Sequence, residues 1–295
     1  MPGCDRIDAI SRMLDAGQAE RPMLGRYRLE KELGKGAMGV VYLGRDAKMD
    51  RVVAIKTLAL SREFAEHELA EVRESFFKEA ETAGRLDHPN IVTIFDAGGE
   101  NDLAYIVMEF LKGNDLVRHT RPNDLLPLER VMSIVGRVAE TLCYAHEHHV
   151  VHGDIKPANI MYEAGSDKVT VTDFGIAGIS DRSRSGTLLG TPSYMSPEQL
   201  AGKMIDGRSD LFSLGVTLYQ LACGHLPFFG DSMSQLMFKI ANEPYPDIRG
   251  VRPELGECLL TVIERALAKN VEVRYQTGSA MACDLHSCLA QAECA

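Results

Sequence analysis

The stretch "HGDIKPAN", residues 152–159, sets a carboxylate (Asp154), an ammonium (Lys156) and an amide (Asn159) within six residues. That spacing has the look of a catalytic loop, with one departure: Gly153 stands immediately before the Asp. A second group of residues points to phosphate. Gly34, Gly36 and Gly39 lie in "LGKGAMGVVYLG" as GxGxxG, a spacing that dinucleotide-binding loops also use. A dinucleotide loop opens a helix, whereas Gly39 runs straight into the strand-forming "VVYLG", so these glycines belong to a hairpin. A glycine hairpin can fold over phosphates and present backbone N–H groups without obstruction; on the glycines alone, a merely flexible hairpin stays open as an alternative. Lys56 ends "VVAIK", a run apolar on both sides, where an ammonium needs either water or an anionic partner. Glu79 on the following charged stretch is the candidate counter-ion, weighed against Glu81 on the neighbouring face; the spacing of "FFKEAETAGRLDHPNI" favours Glu79.

These residues need a scaffold. The segments "YRLEKEL", "VVYLG" and "RVVAIKTL" are rich in β-branched and aromatic residues and separated by turn residues, which predicts three antiparallel strands. The run from Ser61 to Leu86 has helical spacing, with Phe76, Ala80, Ala83 and Leu86 on one side, and "IVTIFDAGG" and "LAYIVMEFL" predict two further strands. Beyond Gly113 the chain reads as largely helical, starting with the stripe Val131, Val135, Val138, Leu142 and Ala145. A sheet-rich first third and a helix-rich remainder predict an α+β protein of two lobes. Ahead of both, Ile7, Ile10, Met13 and Leu14 form a short amphipathic stretch, marginal as an isolated helix.

Composition narrows the function. The chain has 295 residues, 45% apolar and 25% charged, as a soluble globular protein does, and its formal charge of -10 argues against a nucleic-acid partner. The most apolar window, residues 211–223, is too short and too interrupted to cross a bilayer. The N-terminus lacks a signal-peptide core. Seven cysteines without CxxC spacing read as reduced, mostly buried thiols of a cytosolic protein. The clustered His146, His148, His149 and His152 raise a metal reading, but no second ligand cluster converges with them in the sequence.

Taken together, the motifs resemble those of the eukaryotic-type Ser/Thr protein kinases, and in particular the catalytic domains of bacterial receptor kinases. GxGxxGxV starts at Gly34, VAIK ends at Lys56, HxDxKxxN spans 152–159, DFG begins at Asp173 and SPE ends at Glu198, in the family's order. The resemblance covers residues 27–290, with 27–109 as the small antiparallel-sheet lobe with one major helix and 110–290 as the larger, mainly helical lobe; residues 1–26 are an extension or linker. It implies transfer of the γ-phosphoryl group of ATP to Ser or Thr hydroxyls of proteins, autophosphorylation included, with Mg2+ or alternatively Mn2+. It assigns Lys56, held by Glu79, to the α and β phosphates, Asp173 and Asn159 to the metal ions, Asp154 to the substrate hydroxyl proton and Lys156 to the charge on the moving group. It places the nucleotide against Leu33, Gly34, Lys35, Gly36, Ala37, Met38, Gly39, Val40, Val41, Ala54, the gatekeeper Met108, Glu109 and Leu111. Asp115 is either a ribose contact or a helix N-cap. Thr191 is implied to touch the catalytic loop, Glu198 to pair with Arg274, Asp210 to accept from the catalytic-loop backbone, and His152 to pack under Phe174.

Most members of the family carry Arg where Gly153 stands, and that Arg pairs with a phosphorylated residue of the activation segment. Its absence leaves Lys56, Asp154 and Asp173 in place. The expectation is an active enzyme that does not depend on such a clamp, with Ser183, Ser185 and Thr187 as candidate autophosphorylation sites and Arg182 and Arg184 as local phosphate partners. The alternatives are a nucleotide-binding scaffold without activity and a small-molecule phosphotransferase. The expected setting is the cytoplasm, for a free protein or for the cytosolic part of a membrane receptor, with protein substrates and a homodimer through the small lobe.

Overall fold

A computed structural model of the chain describes residues 2–15, 21–35, 39–60, 66–100, 103–174 and 192–293. The chain folds as two compact units, the first built from the described residues up to 87 together with 92–111, the second from 88–91 and the described residues beyond 111.

The first unit is an antiparallel sheet of β1 (Met23–Leu24), β2 (Tyr27–Lys35), β3 (Gly39–Asp46), β4 (Arg51–Ala59), β5 (Ile94–Glu100) and β6 (Leu103–Glu109), in the order β1-β2-β3-β4-β6-β5. Strand alternation divides its residues between two faces. Val40, Tyr42, Val53, Ile55 and Ala59 point to one face, where they join Leu29, Leu103, Tyr105 and Val107 in a buried cluster. α1 (Pro2–Asp15) lies on that cluster: Ile7 and Ile10 are buried in it, Leu14 packs against it, and the Ser11 hydroxyl donates to Glu32 Oε2 at 3.1 Å. A helix too weak to stand alone is thus stabilised by its apolar stripe. α2 (Leu69–Gly84) buries Val72, Phe76, Ala80 and Ala83 along one stripe, as the helical spacing requires.

Two boundaries differ from the sequence expectation. The helix that carries the expected stripe begins at Leu69, after a turn over residues 66–68. Strand β5 begins at Ile94 and not at Ile91, because the start of that run is taken by the second unit. There the Asn90 carbonyl accepts from Val171 N–H at 2.7 Å, its side-chain amide donates to the Val169 carbonyl at 2.6 Å, and Ile91 bridges Val171 in parallel.

The second unit is mainly helical. α3 (Leu128–Glu147) buries the predicted stripe of Val131, Val135, Val138, Leu142 and Ala145. It is followed by the hairpin of β8 (Ile160–Glu163) and β9 (Lys168–Val171), which the sequence reading did not anticipate and to which β7 (Asn114–Asp115) adds a short edge. After α4 (Pro197–Leu200), α5 (Gly207–Cys223) is buried over nearly its whole length. α6 (Met233–Asn242), α7 (Glu257–Ala266) and α8 (Gly278–Glu293) complete the unit, with α8 packed along α3. Among the described residues no helix is long and apolar enough to cross a membrane.

The cysteine reading needs correction. Cys258 and Cys288 form a disulfide between α7 and α8, where their Cα atoms lie 5.5 Å apart. Thirty positions separate them in the chain, and only the packing of the two helices brings them within bonding reach. Cys143, Cys223 and Cys283 are free thiols, while the side chains of Cys4 and Cys294 lie outside the described residues. With one pair oxidised, cysteine usage no longer argues for a reducing compartment.

Ile7 tests the docking of α1. Its side chain is fully buried, so Ile7→Ala is expected to lower the unfolding free energy by about 2–4 kcal/mol. Urea unfolding followed by circular dichroism measures the change; a value near zero would mean that α1 does not contribute to the first unit's core.

Candidate active site

In the first unit, strand register decides which of the expected nucleotide residues share a face. Val41 lies opposite Lys56 across β3 and β4, and Ala54 lies opposite Met108 across β4 and β6. Ala54 and Lys56 are two residues apart on one strand, so all four occupy the same side of the sheet. Val40 does not. It is 1% exposed in the cluster beneath α1 on the other face, which removes it from the expected nucleotide set. Gly39 stands where β3 approaches β4 so closely that a Cβ would come within 1.6 Å of the Thr57 carbonyl oxygen, which excludes any other residue type. Gly34 sits opposite Val41 with nothing within 4 Å of where a Cβ would be, leaving open space over that glycine. Leu33 is exposed and Lys35 ends β2. The Glu109 N–H donates to the Thr93 carbonyl at 2.9 Å, and Leu111 is half-buried just past β6. Gly36, Ala37 and Met38 lie outside the described residues, as does the Glu79 side chain on α2.

In the second unit the candidate catalytic loop is built around Asp210, on the first turn of α5 and 1% exposed. Its Oδ2 accepts from the His152 N–H at 2.8 Å and from His146 Nε2 at 2.8 Å, and its Oδ1 accepts from the Gly153 N–H at 2.7 Å. Buried carboxylates need such donors, and the backbone that supplies them is held in return. Gly153 has φ of +76°, where a residue with a Cβ is strained.

His152 is fully buried. Its Nε2 donates to the Thr172 carbonyl at 2.8 Å and its Nδ1 accepts from the Asp154 N–H at 3.2 Å, so one tautomer satisfies both bonds. Its ring lies 4.6 Å from that of Phe174. His146 and His152 are therefore committed to holding the loop.

Asp154 carries the groups expected beside it. Lys156 Nζ donates to Asp154 Oδ2 at 2.7 Å, and Asn159 Nδ2 donates to the Asp154 carbonyl at 2.8 Å and to Oδ2 at 3.1 Å. Both donors converge on Oδ2. Asn159 is 5% exposed, and with its NH2 group turned to Asp154 its carbonyl oxygen is the atom left to act as a ligand or acceptor. Asp173 has φ of +64°, an uncommon conformation for a non-glycine residue and one that marks candidate functional positions. Asp115 caps the short 3₁₀ turn Leu116–His119, its Oδ1 accepting from the Val117 N–H at 3.0 Å.

Glu198 and Arg274 form a bidentate pair at 2.7 and 3.2 Å, with the Arg274 side chain fully buried. Ser209 Oγ also donates to Glu198, and Arg274 donates to the carbonyls of Ala268 and Arg208. Burial by itself raises the Glu198 pKa. The Arg274 guanidinium and the Ser209 hydroxyl outweigh that and hold it below its ordinary 4.5. Ser183, Ser185, Thr187 and Thr191 lie outside the described residues, as do Arg182 and Arg184.

Sequence reasoning passed over Gln199. Its side-chain oxygen accepts from the Ser196 N–H at 2.9 Å, the Ser196 hydroxyl accepts from the Gln199 N–H, and its Nε2 donates to the Gly153 carbonyl at 2.7 Å. The Ser-Pro-Glu-Gln spacing is a capping-box signature and was legible as such. The bond to Gly153 has no local signal.

Two variants test this scaffold. Gly153→Ala is expected to lower the unfolding free energy by about 1–2 kcal/mol, since alanine must adopt the left-handed conformation; urea unfolding that matches wild type would mean the loop relaxes. For Glu198, a depressed carboxyl pKa contributes stability that is complete above 4.5 and lost as pH falls below it. Glu198→Gln is expected to be less stable at pH 7 by about 3 kcal/mol, because Arg274 loses its counter-charge. It is also expected to lose less further stability than wild type when the denaturation is repeated at lower pH.

Comparison with known proteins places these features. The model of the protein kinase domain matches residues 27–285. The chain is 35% identical over 264 residues to serine/threonine-protein kinase PrkC of Bacillus subtilis, covering 88% of this chain and 40% of that protein. It is 38% identical over 273 residues to serine/threonine-protein kinase PknB of Mycolicibacterium smegmatis, covering 88% and 42%. It is 39% identical over 276 residues to serine/threonine-protein kinase pkn3 of Myxococcus xanthus, covering 89% and 50%. The chain thus spans about two fifths to one half of the length of these relatives. With a match over nearly its whole length and this loop geometry, the chain belongs to the protein kinase domain family.

Proposed function

We propose that the chain transfers the γ-phosphoryl group of ATP to serine or threonine hydroxyls of proteins, its own activation segment among them. The observation that carries this reading is the loop in which Lys156 and Asn159 both donate to Asp154 Oδ2 while Asp210 holds the backbone before it. That geometry commits Oδ2 to the chain's own donors and leaves Oδ1 as the oxygen to accept the substrate hydroxyl's hydrogen bond and then its proton. Lys156, already at Asp154, supplies positive charge where charge grows on the transferred group.

The residues fit the cofactors of this chemistry. Asn159 offers an amide oxygen and Asp173 a carboxylate, the hard oxygen donors that a magnesium or manganese ion takes. The ion, when bound, neutralises phosphate charge. On the first unit, Val41, Ala54 and Met108 offer an apolar surface for a base, with Lys56 on the same face for the phosphates and Gly34 with clear space above it. Glu79 is the proposed partner of Lys56, and the backbone groups of Glu109 and Leu111 the proposed partners of the base. Names of relatives as serine/threonine-protein kinases support the choice of hydroxyl.

Gly153 leaves no side chain to clamp a phosphorylated residue, so activity is proposed not to depend on one. Transfer to an exogenous protein is then expected to survive Ser185→Ala and Thr187→Ala. The central test uses labelled ATP with magnesium. Wild type is expected to transfer label, and Asp154→Asn to be slower by about 10²–10⁴-fold with unchanged circular dichroism. Equal rates for the two proteins would overturn the proposal.

A further inference from the structure

We infer that Gln199 is a positioning residue for the candidate base, acting through the peptide bond that joins Gly153 to Asp154. This rests on the phosphotransfer reading above and adds to it a residue outside the family motifs described.

The peptide unit between Gly153 and Asp154 is a rigid plane, with the Gly153 carbonyl on one edge and the Asp154 N–H on the other. Gln199 Nε2 donates to that carbonyl at 2.7 Å, and the Asp154 N–H donates to His152 Nδ1 at 3.2 Å. The plane is therefore pinned on both edges, which sets the backbone from which the Asp154 carboxylate projects. The preceding plane is fixed as well, since the Gly153 N–H is taken by Asp210. The φ of +76° at Gly153 is what turns its N–H toward α5 and its carbonyl toward α4.

Gln199 is itself held. Its Oε1 accepts from the Ser196 N–H at 2.9 Å, and the adjacent Glu198 is anchored by Arg274 and by Ser209. Ser209 and Asp210 are neighbours on the first turn of α5. The contacts thus close a ring that runs from Ser209 to Glu198, along the chain to Gln199, across to Gly153 and back through Asp210 to Ser209. Apart from the two stretches of chain, its other links are hydrogen bonds to carboxylates, Ser209 Oγ to Glu198 and the Gly153 N–H to Asp210. The Gln199–Gly153 bond joins α4 to the loop that carries the base, and it does so with a neutral amide that requires no phosphate.

The side chain's two ends separate its two duties. Gln199→Glu keeps an oxygen to accept from Ser196 N–H, since glutamate serves at this capping-box position, but it replaces the donor to Gly153 with an oxygen facing an oxygen. Gln199→Ala removes both contacts. For Gln199→Glu the expected result is a kcat about tenfold lower, a KM for ATP within about twofold of wild type, and a Tm within about 2 °C, as for the loss of one hydrogen bond in a loop held by several others. Amide hydrogen exchange at residues 153–155 is expected to be faster in the same variant. Gln199→Ala is expected to show the same kcat with a lower Tm. Wild-type kcat and wild-type exchange in Gln199→Glu would overturn the inference. So would a kcat that falls only where Tm falls, since that is the signature of a cap alone. If wild type and Asp154→Asn are equally inactive, the phosphotransfer reading fails, and exchange at 153–155 in Gln199→Glu still decides whether Gln199 holds the loop.

Discussion

A carboxylate removed from water must be met by hydrogen-bond donors, and Asp210 meets this requirement with the backbone of the loop that carries the candidate chemistry. Its side chain sits on the first turn of α5, where aligned N–H groups also favour negative charge, in a helix buried over nearly its whole length. The rigidity of the loop is therefore inherited from the core of the second unit. His146 at the end of α3 and the N–H groups of His152 and Gly153 all converge on the one carboxylate. Asp154 can then be held in one orientation while its neighbours Lys156 and Asn159 settle on a single oxygen. Without Asp210, the N–H groups of His152 and Gly153 and the ring of His146 would lose their common acceptor.

A second buried charge works alongside it. Arg274 is fully enclosed, and Glu198, Ala268 and Arg208 supply the acceptors that make its burial tolerable. Because Ser209 and Asp210 are adjacent, the segment at Glu198 and the loop at Gly153 are both referred to the same turn of α5. This arrangement puts the segment at Glu198 and the candidate base Asp154 on one rigid support, which suits a chemistry that works chiefly by positioning.

Much of the fold was legible because its signals are local. The strands of the first unit follow runs of β-branched residues, and the stripes of α2 and α3 follow helical periodicity; these patterns depend only on which side chains must leave water. Legibility failed where a distant segment competed. Ile91 reads as the start of β5, yet Asn90 and Ile91 are claimed by β9. Val40 and Val41 look alike in the sequence, and only the register of β3 against β4 puts Val41 beside Lys56 and Val40 beneath α1. Asp115 satisfied both of its readings in sequence terms, and the observed conformation shows it as a cap.

The sequence by itself determined the chemical inventory: a carboxylate, an ammonium and an amide at set spacing, a lysine in an apolar strand, a glycine hairpin and the order in which they occur. Residue type and short-range spacing suffice for that, since they dictate which groups can accept a proton, hold an anion or ligate a cation. The tertiary structure alone decided the partnerships. Cys258 meets Cys288 because α7 packs on α8, Gln199 meets Gly153 because both are anchored to α5, and the backbone at Gly153 turns to a positive φ to serve two side chains at once. Each of these is a contact between residues far apart in the chain, and such contacts are set by the packing of whole elements, which no local pattern encodes.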